Sequence, residues 1–119
     1  MSGFSQGCFT STATLLRYEG PKPFGGIICL SGLQPMVDKN ILKTPKALQL
    51  QSQVPFLQYH GTTDTTVTLQ DAQYTHKYLK DVVYKNNQKN YTFKIEEGLR
   101  HTIGRDEIKY IRKWFDKNK

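Results

Sequence analysis

Apolar residues recur along the chain with two different periods, and segments with the two periods alternate. Between residues 69 and 86 they recur every three or four positions, which is the spacing of the buried side of a helix. Residues 91–96 alternate instead, with Tyr91, Phe93 and Ile95 on one face, as a half-buried strand does. The pattern therefore predicts a chain that combines helices with strands.

Further segments complete this pattern. Nearly continuous apolar runs at residues 24–30 and 54–60 are typical of strands buried in a parallel sheet. Helices are predicted at residues 7–18 and 106–117, and a short helix is expected after Pro45 within a polar stretch. Three apolar residues are assigned to the inner stripe of the last helix: Ile108, Ile111 and Phe115. Strands that alternate with helices predict an α/β fold, in which crossover helices join the strands of a parallel sheet.

The composition is that of a single soluble domain. The chain has 119 residues, of which 37% are hydrophobic and 23% are charged, and its formal net charge is +7. The lysines are spread out, and no basic stripe is interleaved with aromatic residues, so we expect a solvated basic surface and no nucleic-acid partner. No apolar run approaches the roughly 20 residues of a membrane helix, which leaves at most peripheral membrane contact. The N-terminus lacks the features of a signal peptide, and a cytoplasmic location is expected.

Two cysteines, Cys8 and Cys29, are too few for a disulfide framework or a zinc site, and they fit a reducing compartment. We expect both of them to be buried packing residues. No group of histidine, cysteine and carboxylate residues has metal-ligand spacing, and no glycine loop has a phosphate-binding pattern. The sequence therefore predicts no metal and no cofactor.

The candidate chemistry begins with residues 3–7, GFSQG, which form a G-x-S-x-G pentapeptide. In hydrolases this motif makes a sharp turn between a strand and a helix and exposes a nucleophilic serine, here Ser5. The turn also directs the backbone N–H of the next residue, Gln6, toward a developing oxyanion. Only Met1 and Ser2 precede the motif, and we expect two residues to be too few for the strand. The motif alone is weak evidence, because G-x-S-x-G also occurs by chance.

Two further residues follow in the order that an α/β-hydrolase triad requires, which is serine, acid and histidine. Asp64 lies in the turn after the strand at 54–60, and His101 lies in the loop after the strand at 91–96. Each has a simpler interpretation by itself, because aspartate is common in turns and a loop histidine can be exposed or can cap a helix. The C-terminal ends of parallel strands lie at one edge of a sheet, so order and placement together favour Ser5, Asp64 and His101 as nucleophile, acid and base.

The other two histidines are weaker candidates for chemistry. His60 lies at a strand end, where we expect a structural role with its ring hydrogen-bonded to the backbone of the turn. His76 lies in the middle of a predicted helix and is interpreted as a surface or packing residue.

Four segments of the chain resemble motifs of one family. Residues 3–7 (GFSQG) resemble the GFSQGG turn of the acyl-protein thioesterase and carboxylesterase family of α/β-hydrolases, and residues 30–35 (LSGLQP) resemble its LSGWLP loop. Residues 60–67 (HGTTDTTV) are similar to its HGxxDxxV segment, which holds the triad acid, and residues 97–102 (EGLRHT) are similar to its GMxHS segment, which holds the base. The resemblance implies a hydrolase that cleaves carboxylic esters or fatty-acyl thioesters without a cofactor. Its substrates would be acylated proteins, including palmitoylated ones, or small esters and lipids.

The chain also departs from the motifs of this family. Cys8 replaces the second glycine of GFSQGG, and Leu33 replaces an aromatic residue that lines the family's acyl pocket, so the resemblance implies Leu33 as the pocket residue here. The family's N-terminal strands and its second oxyanion donor have no counterpart in residues 1–119, which we expect to be a partial α/β-hydrolase domain, the C-terminal half. The alternative to a hydrolase is a non-catalytic remnant that acts as a structural or interaction subunit, with a partner covering the exposed sheet edge.

Overall fold

The computed structural model describes residues 1–17, 25–32 and 42–118. These residues form a sheet of four parallel strands that lie side by side in chain order. The strands are β1 (Ser2–Phe4), β2 (Ile27–Leu30), β3 (Phe56–Gly61) and β4 (Tyr91–Glu96). The α-helices that alternate with them are α1 (Gln6–Arg17), α2 (Pro45–Ser52), α3 (Leu69–Tyr78) and α4 (Arg105–Lys117). The predicted α/β fold with a parallel sheet and alternating helices is confirmed.

The prediction that too few residues precede the G-x-S-x-G motif for a strand is wrong. β1 pairs in parallel with β2, in a register that places Ser2 opposite Ile28 and Phe4 opposite Leu30. The N–H of Ile28 also donates to the carbonyl of Met1 at 3.0 Å. The first residues of the motif itself complete the strand, because the ladder needs only backbone groups. The sheet therefore has one strand more than the pattern of apolar residues predicts.

The two apolar runs form shorter strands than predicted. β2 begins at Ile27, and Phe24, where the predicted strand begins, lies outside the described residues. β3 begins at Phe56, directly after Pro55, whose carbonyl accepts a hydrogen bond from the N–H of Ile27 at 2.8 Å. Proline has no N–H to donate to a ladder, so it lies at the start of the strand and not within it.

The helix predicted at residues 69–86 changes its hydrogen-bonding pattern part-way. It is α-helical in α3 and continues over Leu79–Val83 as a π-helix, which ends where the N–H of Tyr84 donates to the carbonyl of Leu79 at 2.7 Å. A short 3₁₀ turn, Gln88–Asn90, then leads into β4. The short helix expected after Pro45 is confirmed as α2.

The helices pack on both faces of the sheet, because successive strand residues point to opposite faces. The larger core lies on the side of α1 and α3 and includes Cys8, Leu15, Leu16, Ile27, Phe56, Leu79 and Tyr84. A smaller cluster of Leu30, Tyr59 and Leu99 lies on the other face, where Tyr110 and Ile111 of α4 pack against it. The strand ends that carry the candidate site are thus held between two layers of helices.

The buried side of α4 differs from the predicted one. Ile111 packs against the smaller cluster, but Ile108 and Phe115 are 50% and 58% exposed, so their assignment to the inner stripe is wrong. Glu107 and Trp114 are buried instead. A periodic pattern shows that a helix has an apolar side, whereas the loop before the helix sets its rotation about its own axis.

Cys8 and Cys29 form a disulfide, with their Cα atoms 4.5 Å apart. The prediction of two unpaired cysteines is therefore wrong, although both residues are fully buried as expected. α1 packs on β2, and this contact brings together two residues that are 21 positions apart in the chain. The cysteines consequently give no support to a reducing compartment.

Candidate active site

Ser5 lies in the turn that joins β1 to α1. Its φ angle of 55° is in the left-handed region, which residues other than glycine seldom occupy. The N–H of Ser5 donates to the carbonyl of Leu30 at 2.7 Å, and the carbonyl of Ser5 accepts from the N–H of Cys8 at 3.0 Å. The surrounding backbone therefore holds Ser5 in an unfavourable conformation that directs the start of α1 away from β1.

Glycines allow the strand, the turn and the helix to approach one another. A side chain at Gly3 would overlap the backbone of Gly7. Gly32, in the loop after β2, is also enclosed, because a Cβ there would lie 2.6 Å from the carbonyl oxygen of Ser5 and 2.5 Å from the Cβ of Cys8. Small residues at these two positions are thus a steric requirement of the turn.

Gln6 is the first residue of α1, and its side chain is exposed. The N–H groups in the first turn of a helix have no partner inside the helix, and the helix dipole makes this end positive. The N–H of Gln6 therefore lies at the end of α1 that can best stabilise a negative charge next to Ser5.

Asp64 lies in the loop after β3 and is 3% exposed. Its Oδ1 accepts hydrogen bonds from the N–H groups of Thr66 and Val67, both at 2.9 Å. Burial by itself would raise the pKa of Asp64, but hydrogen bonds from His101 and from the two backbone N–H groups outweigh burial and hold the pKa below its usual value. Asp64 is consequently a buried carboxylate that remains charged at neutral pH.

His101 lies in the loop between β4 and α4 and connects the other two residues. Its Nδ1 lies 2.8 Å from Oδ2 of Asp64, and its Nε2 lies 2.9 Å from Oγ of Ser5. A carboxylate can only accept, so Nδ1 carries a proton and Nε2 is left to accept the hydroxyl proton of Ser5. The ring of Phe4 lies against the imidazole, with the two centroids 4.9 Å apart. Ser5, His101 and Asp64 thus form one continuous chain of hydrogen bonds.

The loops after β3 and β4 are joined to each other by backbone hydrogen bonds. The N–H of Thr62 donates to the carbonyl of Glu96 at 3.0 Å, and the N–H of Thr63 donates to the carbonyl of Leu99 at 3.1 Å. A side chain at Gly61 would overlap the carbonyl of Leu99, so the two loops are also in close steric contact. This packing sets the distance between Asp64 and His101.

A buried carboxyl group caps the start of α4. Oε1 of Glu107 accepts a hydrogen bond from the N–H of Gly104 at 3.1 Å, and the Glu107 side chain is fully buried. Burial raises the pKa of Glu107, the charge of Glu96 raises it further, and the hydrogen bond from Gly104 opposes both. The sequence left open that His101 caps the last helix. In the structure, Glu107 has this capping role.

The remaining histidines have the packing roles that were predicted for them. Nε2 of His60 lies 2.6 Å from the carbonyl oxygen of Val67, so the predicted contact with the turn backbone is confirmed. Nδ1 of His76 lies 2.9 Å from the hydroxyl of Tyr91, and its ring contacts that of Phe93 at a centroid distance of 4.4 Å.

Sequence reasoning did not identify the residues that support the hydrogen-bonded chain. Thr66 and Val67 act through backbone N–H groups, which every residue except proline has, so no side-chain signal marks them. Phe4 contacts His101 although the two residues lie near opposite ends of the sequence. The HGxxDxxV-like segment, residues 60–67, is the one signal that could have indicated the two backbone donors.

A cavity of about 480 Å³ opens beside Ser5. Its lining consists of Ser5, Gln6, Phe9, Thr10, Gly32 and Val67. Phe9 is 38% exposed, and together with Val67 it gives the cavity apolar walls next to the Ser5 hydroxyl. Leu33, which the resemblance implies for an acyl pocket, lies outside the described residues.

Within residues 1–17, 25–32 and 42–118, no group of three or more His, Cys, Asp or Glu side chains is arranged to hold a metal ion. No helix in the same ranges is long and apolar enough to cross a membrane.

A sequence profile of the phospholipase/carboxylesterase family matches residues 1–119. The chain belongs to the phospholipase/carboxylesterase family. The carboxylesterase SOBER1 of Arabidopsis thaliana is 34% identical to this family member over 112 residues, which are 94% of the chain and 45% of that protein. The acyl-protein thioesterase 1 of Yarrowia lipolytica is 30% identical over 118 residues, which are 99% of the chain and 48% of that protein.

Solved structures agree with this assignment to the phospholipase/carboxylesterase family. The crystal structure of Arabidopsis thaliana SOBER1 matches with a TM-score of 0.75 at 30% identity. The match covers 98% of this chain and 51% of the SOBER1 chain. The structure of Zea mays acyl-protein thioesterase 2 has a TM-score of 0.77 at 26% identity, with coverages of 98% and 54%. The resemblance to the thioesterase and carboxylesterase family and the α/β-hydrolase fold are confirmed. The chain spans about half the length of the relatives that it matches.

Proposed function

We propose that this chain carries the nucleophile, base and acid of a serine hydrolase that cleaves carboxylic esters or fatty-acyl thioesters. The observation that supports the proposal is the chain of hydrogen bonds from Ser5 through His101 to Asp64, at 2.9 and 2.8 Å. A serine hydroxyl is a weak nucleophile unless a base within hydrogen-bond reach takes its proton. Membership of a family that includes carboxylesterases and thioesterases supports the proposed class of substrate.

The proposed reaction has two steps. Oγ of Ser5 attacks the acyl carbon while Nε2 of His101 takes the hydroxyl proton, and His101 then gives that proton to the departing alcohol or thiol. Water next attacks the acyl carbon while His101 takes one of its protons, and the bond to Oγ of Ser5 then breaks as His101 returns that proton to Oγ, which releases the carboxylic acid. Asp64 holds the imidazole in the required tautomer and stabilises its charged form in both steps. The proposed steps use no cofactor.

The tetrahedral intermediate of each step carries a negative charge on the former carbonyl oxygen. The backbone N–H of Gln6 is the proposed donor to this oxygen, because it begins the helix that follows Ser5. One such donor contributes about 10²–10³ to kcat in serine hydrolases.

The cavity beside Ser5 is the proposed site of the acyl group. Its walls at Phe9 and Val67 favour an apolar chain, and its lining includes Ser5 itself. The acyl-protein thioesterase relatives make fatty-acyl groups on protein cysteines one candidate substrate, and the carboxylesterase relatives make small esters or lipids the other. By resemblance to the family motif, Leu33 is a proposed acyl-pocket residue.

The test is covalent labelling of the protein with a fluorophosphonate, followed by hydrolysis of a short nitrophenyl ester and of an S-palmitoylated peptide. We expect labelling at Ser5 and measurable hydrolysis in the wild type, and we expect Ser5→Ala to remove both. Ser2→Ala, the same change at an exposed serine of β1 outside the cavity lining, is the matched control and should retain the label. Equal labelling of the wild type and Ser5→Ala, or no labelling of a folded wild-type protein, would contradict the proposal.

A second candidate is an interaction subunit, and the observation that favours it is the position of β1. Within the described residues β1 pairs with β2 alone, so the other side of its backbone is an unpaired sheet edge. A partner protein that covers this edge would then be required for a stable fold. Analytical ultracentrifugation of the purified chain distinguishes the two candidates, because a cooperatively folded monomer needs no such partner.

A further inference from the structure

His60 is a fully buried histidine in β3, four positions before Asp64. Its Nε2 lies 2.6 Å from the carbonyl oxygen of Val67. A carbonyl oxygen can only accept, so Nε2 of His60 carries a proton and donates it to Val67. The other ring nitrogen, Nδ1, is buried and has no partner among the described residues, so the Nε2 hydrogen bond is the contact that fixes the ring.

The N–H and the carbonyl of Val67 each make a hydrogen bond to a side chain. Its N–H donates to Oδ1 of Asp64 at 2.9 Å, and its carbonyl accepts from His60. The N–H of Thr66 also donates to Oδ1 at 2.9 Å. With two backbone donors on Oδ1, the carboxylate turns its Oδ2 toward His101. Val67 is therefore one of the two backbone donors that orient the carboxylate of Asp64 toward the imidazole.

We propose that His60 is a positioning residue that holds the carboxylate of Asp64 toward His101 through Val67. The link runs through Val67, because Nε2 of His60 lies 3.6 Å from Oδ2 of Asp64, too far for a direct hydrogen bond. His60 does not line the cavity beside Ser5, so it has no contact with the proposed acyl group. The consequence for hydrolysis rests on the proposed function, whereas the consequence for the geometry of Asp64 does not.

Two amide variants differ in whether they can make this hydrogen bond. In His60→Gln the side-chain amide nitrogen reaches the position of the imidazole Nε2 and can donate to Val67. In His60→Asn the amide reaches only the position of Nδ1, which has no partner among the described residues. Both variants bury an uncharged amide, but asparagine is also one methylene group smaller, so protection of the β3 and β4 amides is the control for the lost volume.

The experiment is NMR spectroscopy of the full 119-residue chain without substrate. The readouts are hydrogen exchange of the Thr66 and Val67 amides and the proton shared between His101 and Asp64. We expect wild type and His60→Gln to protect both amides and to show the shared proton. Folded His60→Asn should lose these signals while the amides of β3 and β4 stay protected.

Hydrolysis of a short ester gives the second readout. A displacement of Asp64 by about 1 Å can reduce the rate roughly 100-fold, and we expect kcat to fall by that order in His60→Asn with little change in KM. His60→Gln should stay close to wild type.

The proposal is overturned if folded His60→Asn keeps the amide protection and the shared proton, or if folded His60→Gln loses them. If His60→Asn does not fold, His60→Gln alone is the test: amide protection and a shared proton like those of the wild type support the proposal, and their loss overturns it. A wild-type chain that a fluorophosphonate does not label would reject the proposed hydrolase, but the NMR readouts would still decide whether His60 positions Asp64.

Discussion

Gly3 packs directly against the backbone of Gly7, with no room for a side chain between them. The relationship is not symmetrical, because a Cβ at Gly7 would meet no described atom within 4 Å beyond its chain neighbours and the backbone of its own helix. The two glycines of the G-x-S-x-G motif therefore have different physical reasons to be glycine. Gly3 permits β1 and α1 to meet at the Ser5 turn, whereas the space around Gly7 would accept a larger residue.

This difference predicts opposite effects of two alanine substitutions. Gly3→Ala should reduce the free energy of unfolding by about 1–3 kcal/mol or more, because the added methyl group forces the strand away from the helix. Gly7→Ala should be neutral or should stabilise the protein by up to about 1 kcal/mol, because alanine favours the helix that Gly7 occupies. Urea denaturation of the two variants measures both effects, and equal losses would contradict this assignment of roles.

The disulfide between Cys8 and Cys29 should contribute to stability. It closes a loop across 21 positions, and a closed loop of about this size is worth roughly 3 kcal/mol through the unfolded state. We expect dithiothreitol to lower the melting temperature of the wild type and to leave that of the double variant Cys8→Ser/Cys29→Ser unchanged. Two free thiols in the unreduced, denatured wild type would show that the bond is absent.

Acid should destabilise the protein partly through Asp64. The pKa of this carboxyl lies below its usual value of 3.8, so its contribution to stability is present above that value and is lost as the pH falls through the lower folded value. Asp64→Asn removes this pH-dependent contribution to stability. The melting temperature of the variant should therefore fall less steeply than that of the wild type below about pH 4. Thermal unfolding of both proteins across this range is the measurement, and parallel curves would refute the shift.

Phe9 should affect long acyl chains more than short ones if the cavity beside Ser5 binds the acyl group. Phe9→Ala removes part of the apolar wall, and we expect kcat/KM for octanoyl esters to fall about tenfold or more. The value for acetyl esters should change little, because an acetyl group is too short to reach the wall. Tyr74→Ala, at a residue of α3 that is 66% exposed and lies outside the lining, is the control. The same loss for both esters would place the acyl group elsewhere.

Local patterns were sufficient for the elements whose signal is contained in a few neighbouring residues. The alternation of Tyr91, Phe93 and Ile95 predicted β4 within its observed bounds, and the spacing of apolar residues predicted the start of α3. Chain order and strand-end placement were sufficient to nominate Ser5, Asp64 and His101, and in the structure His101 lies within hydrogen-bond distance of each of the other two. Their catalytic roles remain a proposal.

Other features depend on contacts between distant parts of the chain, and no local pattern contains them. β1 is a strand because β2 lies beside it, and Cys8 and Cys29 are bonded because α1 packs on β2. Ile108 and Phe115 are exposed because the packing of α4 turns Glu107 and Trp114 inward.

The sequence by itself determined the class of fold, the order of the helices and of β2, β3 and β4, and the three side chains that carry the candidate chemistry, because periodicity and motif order are properties of neighbouring residues. Only the tertiary structure decided the distances that join Ser5, His101 and Asp64, the hydrogen bond from His60 to Val67, and the disulfide. These depend on contacts between distant parts of the chain, such as that of Ser5 with His101, which are 96 positions apart.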